Sequence, residues 1–193
     1  MKYSMEKIIL VLLIAAVSTF HACQDRPGDN DTKDTATVKS DRDTTVVANT
    51  KEKDGQVVSD LIAANSEEVK LAELAKKKSM NKEVKHIADM LVKDHTAALG
   101  DLRDLANRKG LTLAAEDTAA SNKAYRDLDD EKGKEFDKEW CSKLTDKHKN
   151  TIDKLEGLSN DNIDQDIKTW ASNILPKIRT HHDMLMACKD KMK

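Results

Sequence analysis

Aromatic residues are scarce in this chain: two tryptophans, two tyrosines and two phenylalanines, only 3% of the sequence. Proline is scarcer still, and Pro176 is the single one beyond residue 57. Few aromatics and few prolines, beside abundant Lys, Glu, Asp, Ala and Leu, point to helices. Neither sign of charge dominates. The 33 basic and 35 acidic residues leave a net charge of −2 and are well mixed, so there is no basic stripe of the kind a nucleic-acid binder carries. The mixed charges are solvated helix faces. The apolar run near the start, Ile8 to Val17, is about half the roughly twenty residues that a membrane-spanning helix needs. No glycine-rich phosphate loop and no His-Glu-x-x-His pattern occurs, which excludes the commonest nucleotide and zinc-protease chemistries.

What is present begins with an ordered N-terminus. Lys2 and Lys7 flank the short apolar run, which leads to Phe20-His21-Ala22-Cys23. A basic head, a short apolar run and a small residue before a cleavage point make residues 1–22 a secretory signal. The cysteine after Ala22 makes this segment resemble a bacterial lipoprotein signal, which implies that Cys23 is lipidated and anchors the mature chain to a membrane. In lipoproteins of the enteric type an aspartate after the cysteine marks inner-membrane retention. Gln24 stands there instead, so the expected location is the cell envelope, at the outer membrane, with the periplasmic or surface face left open. Residues 23–56 are mostly Asp, Thr, Lys, Asn and Ser and cannot bury enough surface to offset the entropy of ordering. They read as a disordered tether spanning roughly 30 Å.

Residues 57–193 have the length of one domain. Apolar residues recur there at steps of three and four in four segments. The first runs from about Val57 to Ser79 and the second from Asn81 to Lys109, with Gly110 as its C-terminal stop. A polar connection, residues 111–130, follows. The third segment covers about Glu131 to Leu158, and the fourth starts between Asp161 and Gln165 and ends at Met192, with a kink expected at Pro176. The expected fold is all-α, an antiparallel four-helix bundle.

Each stripe holds one ionisable residue in an apolar place: Glu68, His95, His148 and His181. Burying such groups unpaired is costly, so four on facing seams imply that they satisfy one another or share a ligand. Three imidazoles and a carboxylate suit a single zinc, iron, manganese or copper ion. Whether they meet depends on level. Glu68 and His95 are centred on the Asn81-Lys82 turn. His148 and His181 are centred near Asp164 and Gln165, beyond the apparent turn at Gly157 to Asp161. An early start to the fourth helix would offset His181 from His148 by up to roughly 13 Å along the axis and bring it nearer Asp137, an additional polar contact. A loop extending to Gln165 closes the layer. Cys141 and Cys188 share the histidines' midpoint, so a disulfide between them requires the same register. Thiols on core stripes are otherwise inert packing, and no catalytic residue is assigned.

As an ordered set, Glu68, Met90-Leu91-Val92-Lys93-Asp94-His95-Thr96, Ala106 to Gly110, Gly133-Lys134-Glu135-Phe136-Asp137, His148, and Leu175-Pro176 before His181 resemble a bacterial family, domain of unknown function 4142. Lys147 departs from its pattern, which often repeats the Asp-His pair seen at Asp94-His95. The resemblance implies a secreted or outer-membrane-associated protein with a ferritin-like bundle and no known activity. A di-iron centre would need a glutamate on two helices and a Glu-x-x-His pair on each of the other two. The chain lacks that pair of motifs, and His86 falls beside the seam, so a di-iron site is not expected. Two functions stay open. One is a non-enzymatic envelope lipoprotein whose bundle binds an envelope protein partner or plays a structural part. The other is a protein that holds a metal ion, or uses it in redox chemistry, through the Glu/His layer.

Overall fold

The computed structural model describes residues 40–115 and 118–192. The lipoprotein signal, Cys23 and the first part of the tether lie outside them. Five α-helices make up the described domain: α1 (Ser40–Lys78), α2 (Lys82–Lys109), α3 (Thr118–Asp130), α4 (Gly133–Gly157) and α5 (Gln165–Lys191). No helix among the described residues is long and apolar enough to cross a membrane.

Local chemistry sets the boundaries. Asn81 caps α2, its side-chain oxygen accepting from the backbone N–H groups of Glu83 (2.8 Å) and Val84 (3.4 Å), which satisfies donors that the first helical turn leaves free. At the other end Gly110 adopts φ 58°, a left-handed conformation in which Leu111 N–H reaches back to the Ala106 carbonyl. A single 3-10 turn, Leu158–Asn160, follows α4. Asp164 then caps α5 by accepting from Asp166 N–H at 2.7 Å. Pro176 lies inside α5, and the helix is continuous across it.

The closest-packed pairs are α1 with α2 and α4 with α5. Connections this short make each pair an antiparallel hairpin. The hairpins meet over two apolar clusters. One gathers Leu71, Ile87, Leu91, Phe136, Trp140, Leu144 and Leu185. The other gathers Leu61, Leu102, Leu105, Leu155, Ile167 and Ile178. Trp140 ties the hairpins directly, its indole N–H donating to the Leu71 carbonyl at 2.9 Å.

Two expectations are corrected here. The connection between α2 and α4 contains a helix, α3, because Ser121, Tyr125 and Leu128 form a short stripe. Leu128 is wholly buried, and Tyr125 packs on the same cluster. The domain therefore has five helices, not four. The tether also ends early, since α1 begins at Ser40 rather than Val57. The last of its added turns and the turn after it dock through polar contacts and a close backbone approach. Asp54 is buried and accepts from Asp164 N–H at 2.9 Å. Ser59 Oγ accepts from Ala114 N–H at 2.9 Å. Gly55 lies so close to residue 112 that a Cβ there would come within 2.5 Å of the Thr112 carbonyl oxygen.

Candidate metal centre

The two apolar clusters leave a layer between them. Each hairpin fills half of it: Glu68 from α1 and His95 from α2, His148 from α4 and His181 from α5. All four are no more than 2% exposed. The three ring centroids lie 5.3 to 5.6 Å apart. Glu68 Oε2 stands 2.9 Å from His95 Nε2 and 3.6 Å from His148 Nε2. The layer closes because residues 161–164 belong to the connection and α5 starts only at Gln165.

The partners on the outer side of each ring fix its tautomer. Asn65 donates through Nδ2 to the Leu61 carbonyl at 2.7 Å, which turns its Oδ1 toward His95 Nδ1 at 2.8 Å. His95 Nδ1 therefore carries a proton, and Nε2 points inward toward Glu68 Oε2. His148 Nδ1 lies 2.9 Å from the Leu144 carbonyl, which can only accept, so its Nε2 presents a lone pair. His181 Nε2 lies 3.0 Å from Asp94 Oδ2. Burial works against charge on Asp94, but its hydrogen bonds with His181 and Lys177 outweigh that and hold its pKa down. Asp94 accepts, and His181 Nδ1 faces in.

Four buried polar atoms thus converge, and even the one pair close enough to share a proton, His95 Nε2 and Glu68 Oε2 at 2.9 Å, makes no hydrogen bond. Glu68 Oε2, His95 Nε2, His148 Nε2 and His181 Nδ1 are all buried without a hydrogen-bond partner. A cation is what such a set lacks. The three nitrogens lie within 4.8 Å of one another. A tetrahedral ion bonded at about 2.0 to 2.1 Å would hold them about 3.4 Å apart, so the rings need to close in by roughly an ångström. Holding the outward nitrogen of each ring on an acceptor is how proteins orient histidine ligands. The His95, His148 and His181 cluster can chelate one transition-metal ion, and it is not arranged as a di-iron centre.

Protonation favours the same use. Burial raises the Glu68 pKa, but the nearby His148 and His95 rings outweigh it and hold the carboxyl at about 2. Burial dominates at His148 and lowers its pKa against the pull of Glu68. At His181 burial again prevails over the Asp94 hydrogen bond, bringing the pKa to about 4. Near neutral pH the carboxylate is charged and these two rings are free to bind, as metal ligation requires.

The other expected residues fall elsewhere. Asp137 is buried with one oxygen unpartnered, but it lies eleven residues before His148 on α4, about 16 Å along the axis. It does not join the layer, because His181 is level with His148 and finds Asp94 instead. Cys141 and Cys188 are joined in a disulfide between α4 and α5, with Cα atoms 6.0 Å apart, one heptad from the two histidines. The one Glu-x-x-His of the chain, Glu83 to His86, opens α2, where Glu83 pairs with Lys191 at 2.6 Å. Asn65, Asp94 and the Leu144 carbonyl are the functional groups that the stripes alone did not single out.

No curated protein and no solved structure matches the chain. A family model does match, and it spans all five helices from residue 40 to residue 188. The chain belongs to the family described as a domain of unknown function (DUF4142).

Proposed function

We propose that this protein holds a single transition-metal ion at the centre of its helical domain, with His95 Nε2, His148 Nε2, His181 Nδ1 and Glu68 Oε2 as ligands. The observation that carries this reading is the convergence of four buried polar atoms, none of which has a hydrogen-bond partner. A pair between Glu68 and His95 at 2.9 Å would still leave His148 Nε2 and His181 Nδ1 without hydrogen-bond partners in a layer that served only to fix the fold. Nitrogen-rich donors with one carboxylate suit zinc, iron, manganese or copper. Four protein ligands would fill the coordination of a tetrahedral ion such as zinc and leave no open position for a substrate, so with zinc the role is binding rather than turnover. A partner-binding surface has less support. The large exposed apolar residues among those described are Met80, Leu113 and Met186, single positions on separate segments rather than a patch.

Elemental analysis of protein prepared without a histidine tag is expected to find about one equivalent of metal. His95→Leu removes a ligand and fits an apolar side chain of similar volume to the seam, so it should abolish binding while the helical circular dichroism stays. Wild-type protein that takes up no transition metal above background overturns the reading.

We also read the chain as a lipid-anchored envelope protein, on the residue order from Lys2 to Cys23. Cys23→Ser removes the thiol that lipidation needs, and the protein should leave the membrane fraction or stay uncleaved. Cleaved Cys23→Ser protein that still fractionates with membranes would refute it.

A further inference from the structure

Three of the four approaches to the layer are closed by rings held from behind. Asn65 backs His95, the Leu144 carbonyl backs His148, and Asp94 backs His181, with Lys177 outside it at 3.1 Å. On each of these sides an imidazole lies between its backing group and the inward lone pair. The fourth side differs. Glu68 lines a surface cleft of about 200 Å³ between α1 and α4, with Ala64 and Glu67 on the α1 side and Lys147, Thr151 and Lys154 on the α4 side, Lys154 being paired with Asp60 at 2.7 Å. Here the group of the layer that reaches the cleft is itself one of the proposed ligands, with no ring between it and the opening. A glutamate carboxylate turns easily about its last torsion, which is broad and roughly two-fold. The ion pair between Lys147 Nζ and Glu67 Oε2, at 2.7 Å, lies on this cleft. Lys147 thus sets a tethered cation on the carboxylate that an arriving metal ion would meet first. The helices flanking the cleft belong to different hairpins, which pack less extensively than the helices within each hairpin.

We infer that the metal ion enters and leaves through the α1/α4 cleft, passing from Glu67 to Glu68, with Lys147 as the gate that must release Glu67. This rests on the metal-binding reading above.

The test measures Co²⁺ loading of metal-free full-length protein by stopped-flow absorbance and removal by excess chelator. Lys147→Met keeps the side-chain stem and removes the tethered charge. It should speed both rates by roughly two- to fivefold, the scale of one partly exposed ion pair. Ala64→Leu fills the cleft from its α1 side and should slow loading and removal together without changing stoichiometry. Lys149→Met removes the same charge from the exposed face of α4, where Lys149 pairs with Asp153, and should leave both rates as in wild type. Wild-type binding with rates unaltered by Lys147→Met and Ala64→Leu overturns the port while leaving the metal site standing. Equal acceleration by Lys149→Met also overturns it, since a general charge effect would then explain the change. Wild-type protein that binds no cobalt overturns the metal reading and the port with it.

Discussion

Asn65 carries no charge, yet it decides which nitrogen of His95 points inward. Replacing it with alanine leaves His95 Nδ1 without its acceptor and frees the ring to rotate or change tautomer. The expected result is metal affinity about 10- to 100-fold weaker, the usual cost of losing a partner behind a histidine ligand, with the stoichiometry kept. Asn65→Asp restores an acceptor and should recover most of the loss. A chelator-competition titration reads both, and unaltered affinity in Asn65→Ala would show that the tautomer is set by something else. The four residues of the layer were legible in the sequence, because Glu68, His95, His148 and His181 each interrupt an apolar stripe. Their backing groups were not. Asn65 looks like any polar residue beside a stripe, the Leu144 carbonyl has no letter of its own, and Asp94 reaches His181 only through the rotation of α2 against α5. Lys147 supplies no carboxylate behind His148 Nδ1, and the backbone of the histidine's own helix takes that place.

Among the elements, the short joint before α5 sets the level of His181. Asp164 does three things there: it caps the helix, pairs with Lys109 of α2 at 3.0 Å, and donates its own N–H to Asp54 of α1. Burial raises its pKa, but the Asp166 N–H and Lys109 outweigh this and hold the carboxyl below its ordinary 3.8. A folded-state pKa below the unfolded one means that the unfolded chain binds the extra proton first. The carboxylate's contribution is therefore complete above about pH 3.8 and is lost as the pH falls through the lower folded value. Asp164→Ala should cost about 1 kcal/mol at pH 7 in urea unfolding, the usual cost of a lost cap. That gap should narrow in acid, and one that stays constant down to pH 3 would place the effect outside the carboxylate's charge. The long helices were legible because 3.6-residue periodicity is strong over seven or eight turns. The part of α1 before Val57 was not, since the contacts of Asp54 and Gly55 are with segments distant in sequence, and such contacts leave no periodic trace. Helix α3 escaped for a related reason: with one wholly buried leucine, its stripe is too short to stand out from a polar connection.

At the scale of the whole molecule, two hairpins enclose two apolar clusters with the Glu/His layer between them. The sequence left the register of the second hairpin open, because the turn at Gly157 implied an offset and the shared midpoint of the cysteines and histidines said only that the two pairs are level or offset together. The 3-10 turn at Leu158–Asn160 and the residues before Gln165 decide it by lengthening the connection. Each hairpin supplies two of the four donors. In the metal-free protein either hairpin could open as its own local unit, exposing its amides to exchange independently. An ion bonded across the layer would join them into one cooperative unit, so that neither opens without breaking bonds to the other. Hydrogen exchange followed by mass spectrometry should then show the slowest amides of α2 and α5 converging on one protection level. At a free-metal concentration of about 100 times the dissociation constant, both should slow by about a hundredfold. Slowing confined to one hairpin would mean that the ion is held there alone, and the molecule would exchange as two halves.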